Sequence, residues 1–561
     1  MFSKSTFEQN HPLVFKIIKM STKKIILFGA IWLSIFNFCN GQEMFQKLFG
    51  TSNNGETGYS ILQKQTGNYI VGGIEVPASG NGNFFIAELD PLGSVVWQKK
   101  YGAQGTPNYC KLKKTERGEY LLIVSSYTTI SGILNYNQFI FKTDSIGNLV
   151  WSKSYSNLFL NNFSINKTNN ELFLIGRETN SSLPSSIVLI NLDSLGNNIW
   201  VKKFSSSYKN IFAKDILHLM DGSLTLNASI SDTAVSIYRI TQPLVIKLDS
   251  IGNIIYSNQY ETAYSNYPGE MALLNSGNII MAVESSMWSF ESYYGYPTII
   301  ELSSNGDINR TNTNNSFISS GLNLLSTRKG EIVLSGRGMN MTTNMDPIDC
   351  FILKMDSLGN QKICKVYSYN TLSGNGASEW GHSIYETNDN GFIVSGMLDE
   401  TYTYNYSKDV LLIKTDSLLN SGCHQQPIAI TDSSLPFLKT PIVLGSNSIS
   451  LLPTSINISL ISASNYVTNT ICGTVGIEDL LHQEIRPTIY PNPATNDLTI
   501  TYKPETKNAV VEIYNSVGQQ VKQIALVEEN QQITIADLTN GLYIMKLNDG
   551  KNSATQRFVK Q

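Results

Sequence analysis

Charge is scarce in this sequence. Lys and Arg number 41 against 44 Asp and Glu, a formal charge of -3, and only 15% of residues are charged, where an average soluble protein carries ~25%. With so little charge and a slightly negative balance, a nucleic-acid partner bound by phosphate neutralisation is not expected. Cysteine is also thin: six residues with no CxxC spacing, which removes zinc-ribbon and thioredoxin-like readings. The five His (His11, His218, His382, His424 and His482) are scattered, and HExxH, GxSxG, Walker A and EF-hand loops are absent. No cofactor or metal is therefore expected, and no catalytic constellation is recognisable. Gly at 41 and Pro at 17 are too few for a low-complexity chain, whereas 28 Tyr, 23 Phe and 6 Trp are too many for a disordered one. The 561 residues allow three or more modules, or one repeat array with appendages.

Long apolar runs are missing too, with one instructive exception. Residues 25–38, IILFGAIWLSIFNF, follow Lys23 and Lys24 and stop at Cys39-Asn40-Gly41-Gln42. The run suits a signal-peptide core and falls short of the ~20 residues that span a bilayer. Cys39 and Gly41 are the small residues a signal peptidase requires, so cleavage is expected between Gly41 and Gln42, with Met20 an alternative start. Lipoprotein processing at Cys39 is the rival, disfavoured by Phe38 before it. No later segment could form a transmembrane span, so none is expected in the mature chain.

A phrase recurs down the chain: LDPLGSVVWQKKYG from Leu89, TDSIGNLVWSKSYS from Thr143, LDSLGNNIWVKKFS from Leu192, LDSIGNIIYSNQYE from Leu248 and MDSLGNQKICKVYS from Met355, with weaker copies at Leu302 and Thr415. Its markers Asp90, Asp144, Asp193, Asp249, Ser303, Asp356 and Asp416 define seven units of about 54 residues. Each phrase is a β-hairpin, since Asp caps a turn and the Gly three positions on adopts the left-handed conformation that returns the chain. A second hairpin lies upstream in every unit, as in YSILQKQTGNYIVGG from Tyr59. Two hairpins make a four-stranded sheet, and seven such sheets arranged radially make a β-propeller.

The strand after the turn, bearing Trp97, Trp151 and Trp200, is expected to be the outermost, and the seventh unit lacks it. Phe45 to Gly50 matches Trp97 to Gly102 position for position, so the N-terminal strand is expected to close the ring and remove free edges. The pattern resembles the propeller repeats of secreted bacterial proteins over roughly residues 44–423. The recurring Trp resembles the blade-docking Trp of quinoprotein propellers, a structural role.

From Ile489 onward, alternating strands separated by turns such as Ser516-Val517-Gly518 read as a compact Ig-like sandwich. Tyr490-Pro491-Asn492-Pro493, the segment Leu538 with Gly541-Leu542-Tyr543, and the closing Phe558-Val559-Lys560 resemble the type A C-terminal sorting domain of the type IX secretion system. That resemblance implies export across the outer membrane by the type IX machinery, removal of the module by a sorting peptidase, and a secreted or surface-attached product. The expected organisation is a signal peptide (1–41), a seven-bladed propeller (42–423), a β-rich arm and linker (424–487) and the sorting domain (488–561): all β throughout.

For chemistry the residues offer less. Cys423 and Cys472 bracket the arm and are candidates for a disulfide, with two buried thiols as the alternative. Cys350 and Cys364 flank one hairpin but fall diagonally, which makes that pair doubtful. The residue two before each turn marker (Glu88, Lys142, Asn191, Lys247, Glu301, Lys354, Lys414) forms a ring of mixed sign, read as solvated strand ends. Two inter-blade loops depart from the repeat: Ser286 to Pro297, with Trp288, Tyr293 and Tyr294, and Leu372 to Gly381, with Trp380. Their aromatics would stack on sugar rings or bury in a protein partner, or else pack on a neighbouring blade. The leading expectation is a non-enzymatic propeller that binds a glycan or protein. The alternatives are a propeller enzyme acting on polysaccharide and a structural envelope component.

Overall fold

A computed structural model describes residues 43–561 apart from 52–53, 79, 103–104, 131–132, 179–183, 208, 233–239, 287–294, 341–348, 370–377, 400–407, 457, 462–465, 474–486, 502–508, 517, 529 and 549–552. Among these residues every regular element is a β-strand. Seven five-stranded antiparallel sheets form the propeller, followed by a three-stranded and a four-stranded sheet. Blade 1 shows the plan: Asn54–Gln63 innermost, then Tyr69–Pro77, Asn83–Leu89 and Val95–Gly102. The third strand of each blade is buried on both faces, as at Phe84 to Ile86, Leu244 to Ile246 and Phe351 to Leu353.

The turns follow from local chemistry. In the recurring phrase the Asp carboxylate accepts the N–H two and four residues on, as Asp144 does from Ile146 and Asn148 at 3.0 and 2.8 Å. The Asn side chain returns a third bond. Gly147, Gly196, Gly252 and their equivalents sit at φ near 80°, where a Cβ is strained. Gly147, Gly196 and Gly252 also lie against an aromatic of the preceding blade: Trp97 on Gly147, Trp151 on Gly196, Trp200 on Gly252. The turn therefore docks blade to blade.

Ring closure comes from the N-terminus. Phe45–Gly50 pairs with Lys408–Thr415 from Phe45 opposite Lys414 to Phe49 opposite Val410, as the fourth strand of blade 7. Phe49 is fully buried against Phe85 and Tyr466.

The Trp-bearing strand is not the outermost, contrary to expectation. Residues 425–473 run round the rim as a belt and add a fifth strand to every blade. Gln425–Pro427 pairs with blade 6, Asp432–Ser433 with blade 5, Leu438–Pro441 with blade 4, Gly445–Ser448 with blade 3, Thr454–Ser455 with blade 2, Leu460–Ile461 with blade 1 and Val467–Gly473 with blade 7. The belt thus travels against the order in which the blades were made.

Between its strands it plugs the outer end of each inter-blade groove: Ile428 and Ile430, Ile442 and Leu444, Ile449 and Leu451, and Ile456 and Ile458 pack on successive blade-pair cores. These pairs, with Leu435 and Phe437, recur every seven residues. Seven extended residues cover ~23 Å, enough to step from one blade to the next at the rim. Hydroxyls of the fourth strands lock the phase: Thr311, Ser257 and Ser152 donate to the carbonyls of Leu435, Ile442 and Ile456. Cys423 and Cys472 are joined by a disulfide, with Cα atoms 6.1 Å apart. The belt is therefore covalently closed round the ring, and Cys110, Cys350 and Cys364 are buried free thiols.

In the C-terminal module, Thr488–Tyr490, Asp497–Thr501 and Asn530–Thr534 form one sheet, and Gln520–Leu526, Ala509–Asn515, Gly541–Asn548 and Ser553–Lys560 the other. Between them lies a core of Leu498, Ile500, Val511, Ile513, Met545, Leu547 and Phe558.

Candidate functional site

Successive antiparallel strands put both tight turns of every blade on one face. The connections between second and third strands and between blades lie on the other, which is here called the loop face. Each inner strand carries an irregularity at the same height, for example between Gly58 and Ser60 and between Gly381 and Ser383. Each innermost strand is also the edge of its sheet, so its outward N–H groups have no strand to pair with, and side chains of a neighbouring blade take several of them. Ser60 accepts from Leu112 N, Ser383 from Ile61 N and Asp215 from Met271 N.

Carboxylates and cations meet on the axis. Lys111, on the inner strand of blade 2, reaches across the channel to Glu270 of blade 5 at 2.5 Å. The other oxygen of Glu270 accepts Leu324 N of blade 6. Burial opposes ionisation of both groups, but their mutual attraction outweighs it, holding Lys111 high and Glu270 low. Asp215 accepts Asn162 Nδ2 at 2.7 Å as well as the two N–H groups of Ile216 and Met271, and burial pushes its carboxyl up.

Nearer the loop face, Trp380 lies beneath the Arg337 guanidinium, 3.7 Å from its centroid. His382 stacks on Tyr59 at 4.8 Å and stands 5.9 Å from Trp380. Burial, then the charges of Arg337, Lys408 and Lys111, push His382 down to about 4, so it is neutral. Burial raises Glu284 to about 7 while its Oε1 accepts Leu322 N. Burial, then the adjacent Asp349 charge, raises Glu379 to about 9.

Several expectations need correction. Trp380 belongs to the inner strand Ser378–Glu386 of blade 7, not to a loop; alternation there turns it toward Arg337. The ring at Glu88, Lys142, Asn191, Lys247, Glu301, Lys354 and Lys414 is not solvated. Each lies beneath the first turn of its own blade, where a partner waits: Lys64 for Glu88 at 2.9 Å, Glu119 for Lys142 at 2.7 Å and Asp389 for Lys414 at 2.8 Å. Mixed sign reflects pairing, because turn and strand residues exchange sign from blade to blade. Trp288, Tyr293 and Tyr294, and the Gly41 and Gln42 cleavage site, lie outside the described residues.

Arg337, Glu284 and the Lys111 to Glu270 pair escaped sequence reasoning, since each depends on residues from different blades. A bulge position occupied by Tyr59 in one unit and His382 in another was the only available signal.

In the C-terminal module, Asn492 clips the final strand, donating to Arg557 O at 3.0 Å and accepting Val559 N at 2.9 Å. Tyr543 is buried against Phe558 and donates to Thr539 O. Lys560 is buried opposite Gly541 in the sheet. Tyr490 and Leu542 are about half exposed, with Pro491 and Pro493 beside the clip on the surface. Motif pieces some fifty residues apart in sequence thus form one structural feature.

Three buried carboxyls make a stability prediction. Burial raises Glu56 to about 8, alongside Glu284 near 7 and Glu379 near 9. Each folded value exceeds the unfolded one, so their contribution is complete below pH ~4.5 and is lost as pH rises through ~7 to 9. The melting temperature is expected to fall by several degrees between pH 6 and 9, and Glu56→Gln to flatten that slope. A slope unchanged in the variant would show that Glu56 ionises freely.

Comparison with known proteins places residues 488–561 in the family described as the secretion system C-terminal sorting domain. A 60-residue stretch is 40% identical to beta-agarase A of Zobellia galactanivorans, covering 11% of this chain and 11% of that protein. The chain thus matches only about a tenth of that relative's length. Among solved structures, PorZ of Porphyromonas gingivalis, a surface component of the type IX secretion system, aligns over 92% of this chain and 100% of its own at 9% identity and a TM-score of 0.17. A xylan beta-1,4-xylosidase from Bacillus halodurans aligns over 93% and 99% at 9% identity and a TM-score of 0.27. Likenesses this distant carry no weight for function.

Proposed function

We propose that this chain, delivered outside the outer membrane by its type IX sorting domain, is a binding protein that holds an extracellular glycan on the loop face of its propeller. The observation that carries this reading is the commitment of the central carboxylates. Asp215, Glu270, Glu284 and Glu379 each accept a main-chain N–H, and Glu270 also holds Lys111. Carboxylates so engaged staple blades together, a structural use of their charge. Beside them, Trp380 under Arg337, and Tyr59 under His382, offer aromatic surface with adjacent donors. That combination suits the apolar face and hydroxyl rim of a sugar ring.

A glycan array read together with a reducing-end assay tests the reading. Retention without product is expected, with affinity about tenfold weaker in Trp380→Ala, equivalent to ~1.4 kcal/mol. A second reading, an enzyme acting on polysaccharide, is favoured by Glu284 alone, whose value near 7 suits a general acid. New reducing ends that disappear in Glu284→Gln would select it. Binding to no glycan, with altered cell-surface morphology on deletion, would favour a structural envelope role.

A further inference from the structure

On the tight-turn face, six of the seven inter-blade grooves are filled by the repeat itself. Trp97, Trp151, Trp200 and Tyr256 cover the turn glycine of the next blade, and Phe45 covers Gly93 where blade 7 meets blade 1. Between blades 6 and 7 the turn residue is Leu419 instead of glycine, fully buried beside Ile363. Between blades 5 and 6 the aromatic position holds Arg310, opposite Glu301 as Trp97 is opposite Glu88. There a cavity of about 570 Å³ opens, lined by Arg310, Glu301 and Asn309 of blade 5, Asn275 of its first turn, and Lys329 and Ser357 of blade 6.

We propose that this groove is a binding site for an oxyanion, a sulfate ester or a carboxylate, carried on an extracellular saccharide. Arg310 is held in place through one nitrogen: its Nη2 pairs with Glu301 Oε2 at 2.5 Å and donates to Ser357 O at 2.8 Å. The planar guanidinium is thereby fixed over Gly359; its Nε is buried without a partner, and Nη1, which makes no hydrogen bond among the described residues, is the group left for a ligand. Lys329 is exposed on the opposite wall and makes no ion pair among the described residues. Two cations against one carboxylate leave the groove net positive in a chain whose overall charge is -3. The amides of Asn275 and Asn309 supply donors and acceptors for hydroxyls around the anion. The volume lies within the range of sites that hold a small ligand. This site is on the face opposite Trp380 and does not rest on the loop-face reading.

The test uses the mature chain with three probes: a sulfated carrageenan tetrasaccharide, tri-galacturonic acid and neutral cellotetraose. At least one anionic probe is expected to bind, more weakly as salt is raised from 50 to 500 mM, and the neutral probe not to compete. Arg310→Trp restores the residue that blades 1 to 3 carry, so it should fill the groove without lowering the melting temperature. It and Lys329→Ala should each weaken anion binding tenfold or more, whereas Trp380→Ala should not. Preference for the sulfated or for the carboxylate probe identifies the source of the oxyanion. No anionic binding at millimolar probe, or equal affinity in the wild type and Arg310→Trp, would overturn the proposal.

Discussion

A chain ending before residue 488 is expected to be retained in the periplasm, folded, with its extracellular amount reduced at least tenfold. The sorting domain is self-contained: its two sheets draw every strand from residues 488–560 and enclose their own core. Removing it therefore takes away the export signal without opening any propeller sheet. Fractionation with detection of the propeller in periplasm, outer membrane and medium provides the measurement. An undiminished extracellular fraction would mean that the module is an adhesive Ig-like domain and that export is directed elsewhere. Asn492→Ala offers a finer version, because it removes both side-chain bonds from the Tyr490 to Pro493 segment to the final strand while leaving the core residues and the main-chain bonds of Ala494 in place.

The second large effect is expected at the belt. Its seven strands are short, from two to seven residues, and none would hold an edge alone. Cooperation comes from the apolar plugs and from the disulfide that ties Cys423 to Cys472 across 49 residues. A closed loop of that size constrains the unfolded chain by about 4 kcal/mol, and it also denies the belt a free end from which to peel.

Lys439 is the only tryptic site within residues 424–473, and it is held by Asp307 at 2.7 Å. The Cys423→Ser, Cys472→Ser double variant is expected to be cut there at least tenfold faster than the oxidised protein. Hydrogen exchange should rise in the belt while the third strands of the blades stay protected. Equal cleavage rates would show that the plugs alone secure the belt. In the oxidised protein, fragments cut at Lys439 should stay linked until reduced.

How much of this was open to inspection beforehand depended on distance along the chain. The turn from Asp144 to Asn148 is written in five consecutive residues, and its recurrence counted the blades. Phe45 to Gly50 could be assigned to blade 7 because it copies a motif already seen six times. The belt has its own signal, an apolar pair every seven residues from Ile428, but that period gains meaning only once a rim of matching step exists for it to follow. The charge ring was visible as a position and misread as solvated, since each partner sits on the other hairpin of the blade.

The sequence by itself determined the repeat, the turn geometry, the closing strand and the export module, because each rests on bonds between near neighbours or on copies of one phrase. Only the tertiary structure decided where the charges go. Lys111 and Glu270 are 159 residues apart and meet across an axis, and the groove beside Arg310 exists because a neighbouring blade supplies its other wall. Scarce charge, read at first as an exclusion, proves to be charge used in place: buried pairs beneath the turns, staples between blades, and one inter-blade groove left positive.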